Sequence, residues 1–256
     1  MKNNKKLGQH WLKDRIILDD IANLSIDSNN NATTCLEIGP GLGTLTSSLL
    51  RNFKKVIAIE FDKKLAKNLP NSFPGKNLIV INADFLKFDL SSIKEPYIAA
   101  GNIPYYITSP IIEKLLIAKN KPKKITLLVQ KEVADRIASK DGTESVLSLF
   151  CQNYAKITAG PIITKNYFTP PPKVDSEIII FEPYKKPLYD KKVFELIKIG
   201  FSSPRKKLVK NLLNIKSFTR EKITKCMEDL NININSRPAD LKLGEWVKLA
   251  EWLKLS

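Results

Sequence analysis

The sequence predicts an α/β protein: a Rossmann-like, mostly parallel seven-stranded sheet with an antiparallel edge, followed by a small all-helical domain. Three observations carry that expectation. Short β-rich runs alternate with stretches of helical apolar spacing through most of the chain. Several of those runs are apolar throughout, as in a parallel sheet covered on both faces. After Glu182-Pro183-Tyr184-Lys185-Lys186-Pro187, a linker by composition, only helical patterning remains. The domains so read are residues 1–184, including a basic N-terminal arm, and residues 185–256.

Taken in order, the arm MKNNKKLGQH leads into residues 14–24 (DRIILDDIANL), whose apolar spacing is helical. Strands are expected at 34–38, 55–60, 78–82, 97–101 and 124–130, with helices at 44–51, 63–69 and 110–118 between them. Two further β runs, at 157–163 and 174–181, suit an antiparallel edge hairpin. Beyond the linker, Ser202-Ser203-Pro204 offers an N-cap with proline in the first turn of a helix. That helix would carry Arg205, Lys206, Lys207 and Lys210 beside Leu208, Val209, Leu212 and Leu213. A last helix near 241–255 places Trp246, Leu249, Ala250 and Leu253 on one side.

Composition narrows the function. The 256 residues are 43% hydrophobic and 27% charged, an ordinary globular balance. No run is long enough to span a bilayer, and the arm lacks the apolar segment of a signal peptide. Cys35, Cys151 and Cys226 are scattered without zinc spacing and suit a reducing compartment, so a cytoplasmic, metal-free protein is expected; a monomer is expected as well. With His10 the only histidine, a Ser-His or Cys-His engine is disfavoured. The net charge of +16 favours a polyanionic partner. From Tyr184 to Ser256 there are 17 Lys+Arg against 8 Asp+Glu, so the basic excess is concentrated in the C-terminal domain.

The first strand ends in Glu37-Ile38-Gly39-Pro40-Gly41-Leu42-Gly43, and a helix starts at Thr44. Glycines such as Gly39 and Gly41 let a backbone turn sharply and approach a ligand, while the helix N-terminus presents free N–H groups. The second strand ends at Glu60, which can accept both ribose hydroxyl protons of an adenosine. At the third end, Asp84 can accept from the adenine amine and Phe85 can pack on the ring. A glycine loop alone is weak evidence; the ordered set at three successive strand ends is much stronger. NAD is the first rival, but the tight Gly-x-Gly-x-Gly spacing leaves no dedicated place for a pyrophosphate. S-adenosylmethionine has no phosphates and fits better.

The fourth strand runs into Gly101-Asn102-Ile103-Pro104-Tyr105-Tyr106, beside where the donor's sulfonium would lie. Adenine's exocyclic amine is a poor nucleophile because its lone pair is delocalised into the ring. Asn102 Oδ1 and a main-chain carbonyl near Ile103-Pro104 can accept its two N–H bonds and aim the lone pair. Pro104 stiffens the loop, and Tyr105 can stack on an extruded base.

These motifs resemble the ribosomal RNA adenine N6,N6-dimethyltransferases, which modify two adjacent adenosines near the 3′ end of small-subunit rRNA. The resemblance rests on Leu7-Gly8-Gln9-His10-Trp11-Leu12-Lys13-Asp14, Glu37-Ile38-Gly39-Pro40-Gly41, Asn102-Ile103-Pro104-Tyr105, Gln130-Lys131-Glu132-Val133 and Phe168-Thr169-Pro170-Pro171-Pro172-Lys173-Val174-Asp175-Ser176, with a weaker match at Arg237-Pro238-Ala239-Asp240-Leu241. It implies an S-adenosylmethionine-dependent methyltransferase domain and an RNA-binding helical domain that act on a 30S assembly intermediate. It also implies cofactor contacts at His10, Leu12, Gly39, Glu60, Asp84 and Asn102, and target-adenine contacts at Asn102, Tyr105 and Phe168. The arm at Gly8–Leu12 resembles the family's lid. The family often has Gln-Arg-Arg-Lys-Thr-Leu where this chain has Ser203-Pro204-Arg205-Lys206-Lys207-Leu208, and Trp11 replaces a common phenylalanine. Two rivals share these features: the erythromycin-resistance methylases of large-subunit rRNA, and non-catalytic RNA-binding factors on the same fold.

Overall fold

The computed structural model describes residues 10–27 and 32–253. The chain divides into two units, Met1–Ala134 with Lys156–Pro183, and Asp135–Ala155 with Tyr184–Ser256. In chain order the elements begin β1 (Trp11–Leu12), α1 (Arg15–Leu24), β2 (Thr34–Ile38), α2 (Thr44–Asn52), β3 (Lys55–Glu60) and α3 (Lys63–Asn68). Next come β4 (Leu78–Asn82), β5 (Tyr97–Asn102), α4 (Thr108–Ile117), β6 (Ile125–Gln130), α5 (Lys131–Ile137) and α6 (Val146–Tyr154). Then follow β7 (Ala155–Ile163), β8 (Phe168–Thr169), β9 (Ser176–Pro183), α7 (Lys191–Gly200), α8 (Leu208–Leu212), α9 (Arg220–Asp229) and α10 (Leu243–Trp252).

The first unit is built on a seven-stranded sheet in the order β4-β3-β2-β5-β6-β9-β7. The pairs β3–β4, β2–β3, β2–β5 and β5–β6 are parallel, and β9 runs antiparallel to β6. All five residues of β2 are buried, as are the first five of β6, as in a parallel sheet covered on both faces. The two late strands, β7 and β9, pair with each other and close one end of the sheet, as expected. Of the two, β9 lies between β6 and β7, with Ile178, Ile179, Ile180 and Phe181 all buried, whereas β7 is largely exposed and takes the edge.

Helix α1 starts where the Asp14 side chain accepts from the Ile17 N–H at 3.0 Å, and buries Leu18, Ile21 and Ala22. It packs on α2, whose Leu45 and Leu49 join the same core, and an Asp19–Arg51 ion pair with the Ser48 hydroxyl closes the outer side. The arm forms a second, two-stranded sheet, β1 with β8, in which Trp11 faces Thr169 and Leu12 faces Phe168.

The second unit is helical and discontinuous. A single cut near residue 184 is therefore corrected: residues 135–155 belong to this unit. The physical reason is burial. Leu149 of α6 lies in one core with Phe194 and Ile197 of α7, Leu208 and Leu212 of α8, Ile223 and Met227 of α9, and Trp246 of α10. Glu144, 6% exposed, accepts from Ser139, Ser148, Gln152 and Lys242, and its N–H donates to the Ala239 carbonyl at 2.7 Å. On α10, Trp246, Leu249, Ala250 and the following Leu253 are all buried.

The helix expected to start at Pro204 does not. Residues 203–207 form a turn, with the Lys206 N–H on the Ser203 carbonyl at 3.0 Å, and α8 begins only at Leu208. The Asn211 side chain donates to the carbonyls of Gly200 and Ser203 and holds that turn in place. Consequently Arg205, Lys206 and Lys207 lie on the turn and only Lys210 lies on the helix, and all four are exposed.

Candidate active site

Strand β2 has a parallel neighbour on each side, so the chain leaves its carboxyl end towards both halves of the sheet and a crevice opens there. The loop 39–43 crosses that crevice into α2. Gly41 has φ +58°, and a Cβ on it would meet Trp11 Nε1 at 3.3 Å, so glycine serves both the turn and the close approach of the arm. Its N–H donates to Glu60 Oε2 at 2.9 Å, and the Asp62 N–H donates to Oε1 at 2.8 Å. Glu60 thus clamps the glycine loop to the end of β3. Burial pushes its carboxyl up, while the backbone N–H bonds from Asp62 and Gly41 pull against that shift. An ionised carboxylate has about four acceptor positions, so two remain for ligand hydroxyls.

Beneath the loop lies a second acid. Glu37 is 1% exposed, and the Thr46 hydroxyl donates to its Oε2 at 2.6 Å. Burial raises its pKa to about 8, against the Thr46 hydrogen bond, and the nearby Glu60 adds to the rise.

At the end of β4, Asp84 Oδ1 accepts from the Leu86 N–H at 2.9 Å, a local turn that presents the Phe85 ring to the cavity. Lys114 of α4 donates to the Leu86 carbonyl at 2.7 Å, with its ammonium 5.7 Å from the centre of the Phe85 ring. Burial lowers the Lys114 pKa, opposed by Asp84 and Asp89. Nothing in the helical spacing of α4 singled out Lys114.

On β5, a Cβ at Gly101 would meet the Ile38 carbonyl at 2.8 Å, so only glycine lets this strand end run so close to β2. Asn102 follows. Its Nδ2 donates to the His10 carbonyl at 3.0 Å, which leaves Oδ1 without a partner among the described residues. His10 Nδ1 lies 2.8 Å from the Pro170 carbonyl; that oxygen can only accept, so Nδ1 carries the proton. The His10 ring stacks on Tyr105 with centroids 5.9 Å apart and planes 19° apart. The Tyr105 hydroxyl is paired with Ser176 Oγ at 2.8 Å, and burial raises its pKa.

One cavity of about 280 Å³ collects these groups, lined by His10, Gly39, Gly41, Glu60, Asp84, Phe85, Asn102, Pro104 and Tyr105. Trp11, Phe61 and Tyr106 also line it, and sequence reasoning gave none of them a role. The residues fit an adenosine-containing donor without phosphates: acceptors at Glu60 and Asp84, an aromatic wall at Phe85, and a glycine loop. No group of three or more His, Cys, Asp or Glu that could hold a metal ion occurs among the described residues.

The chain matches the family described as ribosomal RNA adenine dimethylase over residues 1–255. The chain belongs to the ribosomal RNA adenine dimethylase family. It is 37% identical to a protein named ribosomal RNA small subunit methyltransferase A from Prochlorococcus marinus, over 96% of this chain and 94% of that protein. A crystal structure of a dimethyladenosine transferase from Plasmodium falciparum is 30% identical, with a TM-score of 0.81 over 96% of this chain and 98% of the other. That of the 23S rRNA methyltransferase ErmE is 27% identical, with a TM-score of 0.77 over 95% and 99%. The fold is thus that of a Rossmann-like methyltransferase with a C-terminal helical region.

Within this dimethylase framework, two residues expected at the site lie behind it. Leu12 and Phe168 are 1% and 3% exposed, pair across β1–β8, and belong to the core with Leu18 and Ile21. Neither lines the cavity. The ring opposite Tyr105 is His10, because the β1–β8 pairing buries Phe168 and carries the arm across the crevice. Gly8 of the lid lies outside the described residues.

Proposed function

We propose that this dimethylase transfers methyl groups from S-adenosylmethionine to the N6 amines of two adjacent adenosines near the 3′ end of 16S rRNA, during small-subunit assembly. The observation that carries the reading is the amide of Asn102: its Nδ2 is committed to the arm, so Oδ1 is the atom offered to a substrate amine. Small-subunit specificity is supported by the 37% identity to a small-subunit methyltransferase, against 27% to the 23S enzyme.

In this reading Glu60 holds the ribose hydroxyls of the donor, Asp84 the adenine amine, and Phe85 the adenine face. When bound, S-adenosylmethionine supplies an electrophilic methyl carbon on a sulfonium and leaves as the neutral thioether. The target adenine is extruded and stacks on Tyr105, held by its bond to Ser176. Asn102 Oδ1 accepts one N6 hydrogen, and a carbonyl in the Asn102-Ile103-Pro104 turn accepts the other. These bonds localise the lone pair and orient it towards the methyl carbon. The proton released from N6 leaves along the bond to Oδ1 and passes to water, since an amide oxygen is too weak a base to keep it. Pro104, at φ −60° and ψ 131°, fixes the turn.

The three cysteines are buried thiols outside any disulfide, which accords with work in the cytoplasm, and we assign the protein there as a monomer on a 30S assembly intermediate. The exposed cluster Arg205, Lys206, Lys207 and Lys210 supplies phosphate contacts. The deciding experiment treats small subunits that lack dimethyladenosine with wild-type and Asn102→Ala protein, and maps N6-modified adenosines by mass spectrometry. Dimethylation at two adjacent 16S adenosines by wild type only is expected. Modification of 23S rRNA instead would favour the resistance-methylase reading, and no product from wild type would favour a binding factor.

A further inference from the structure

Of the two aromatic rings that follow Pro104, only Tyr105 has a role so far. Tyr106 is 63% exposed, yet it lines the same cavity. Phe61, 64% exposed, is the other open ring of that lining, but it lies at the end of β3, whereas Tyr106 directly follows Tyr105.

Both residues sit in one 3₁₀ turn, Tyr105–Ile107. In such a turn there are three residues per turn, so neighbouring side chains diverge by about 120°. The two rings cannot stack on one base. The turn is rigid: the Ile107 N–H donates to the Pro104 carbonyl at 3.2 Å, and the Thr108 hydroxyl to the Tyr105 carbonyl at 3.1 Å. Tyr105 is anchored through its hydroxyl, whereas the Tyr106 hydroxyl has no hydrogen-bond partner among the described residues. A fixed backbone that carries one anchored ring inward and one open ring outward offers a second stacking surface, one residue from the first. Extruding a target base from its strand parts it from its neighbour and leaves that neighbour's face uncovered, and stacking on an open aromatic ring is sequence-tolerant.

We propose that Tyr106 is the stacking platform for the base of the nucleotide adjoining the target adenosine in the same RNA strand. The proposal rests on the reading of the site as an rRNA adenine methylase. It makes Tyr106 a substrate-positioning residue that holds the neighbouring base while Tyr105 and Asn102 hold the target.

The test compares wild type, Tyr106→Ala and Tyr106→Phe on small subunits lacking dimethyladenosine, with KM and kcat for the particles and calorimetric affinity for S-adenosylmethionine. Tyr106→Ala should raise the KM for particles roughly tenfold or more, the scale of one lost base–aromatic stack. Tyr106→Phe, which keeps the ring, should restore it. An unchanged KM in Tyr106→Ala overturns the proposal. So does a Phe variant as impaired as the Ala variant, which would make the hydroxyl the contact. A parallel loss of donor affinity would place the ring on the donor side and also reject it. Wild-type protein inactive on the particles would remove the parent reading, and this one with it.

Discussion

The Tyr105 hydroxyl and Ser176 Oγ are hydrogen-bonded at 2.8 Å, joining the turn after β5 to the first residue of β9. Two motifs far apart in the chain therefore act on one ring. N6-methyladenine keeps only one amine hydrogen, so the second transfer relies more on stacking than the first. Tyr105→Ala should accumulate N6-methyladenine, while Asn102→Ala should depress both products. Ser176→Ala should give a milder accumulation, since it removes one hydrogen bond, worth about 1 kcal/mol, and leaves the ring. Mass spectrometry of the treated rRNA reads all three, and equal loss of both products throughout would show ring and amide acting as one unit.

Phe168 acts on stability. It is 3% exposed in the core, so Phe168→Ala should lower stability by about 3–5 kcal/mol, the usual range for deleting a buried ring. Chemical denaturation measures this directly. A stable Phe168→Ala protein with a selective loss of the second methyl group would return that ring to the target base.

Glu60 should tolerate neither alanine nor glutamine. Both carboxylate oxygens accept backbone N–H groups, from Gly41 and Asp62, so the amide of Glu60→Gln sets a donor against a donor. Either variant should weaken S-adenosylmethionine binding by about 1.5–3 kcal/mol. Calorimetry with wild-type affinity in both would remove Glu60 from the donor site.

Glu37 makes stability depend on pH. Its pKa rises from 4.5 in the unfolded chain to about 8 in the fold, chiefly through burial. Within that window the folded state holds a proton that the unfolded chain has released, so stability is full below it and falls as pH rises through it. Glu37→Gln keeps an acceptor for the Thr46 hydroxyl and has no charge to bury. Its stability should therefore lose this decline. Urea melts of both proteins across the window provide the comparison, and parallel curves would show that Glu37 ionises freely in the fold.

Replacing Arg205, Lys206, Lys207 and Lys210 by alanine should weaken RNA binding and flatten its salt dependence by roughly one unit of slope per lost phosphate contact. Binding isotherms over a salt series give the slope, and a wild-type value in the quadruple variant would make the cluster a solvated surface only.

The sequence by itself determined the strands at 34–38, 55–60 and 78–82, because each is a short apolar or β-branched run closed by a glycine or a polar residue. It also brought Gly41, Glu60, Asp84 and Asn102 to one cavity, since each lies at a strand end or within three residues of one. Local signals failed where partners are distant. Pro204 looks like a helix start, but the Asn211 side chain holds residues 203–207 in a turn, and no local preference encodes that bond. Residues 135–155 join the helical unit because Leu149 buries itself beside residues that come some forty or more positions later. Phe168 reads as a site residue in its proline-rich motif, yet its antiparallel register with Leu12 turns it into the core. Only the tertiary structure put His10 against Tyr105 and Asn102, and so committed Nδ2 of that amide to the arm. Periodicity along a chain records which face is apolar, while the pairing of two distant segments depends on closing the loop between them.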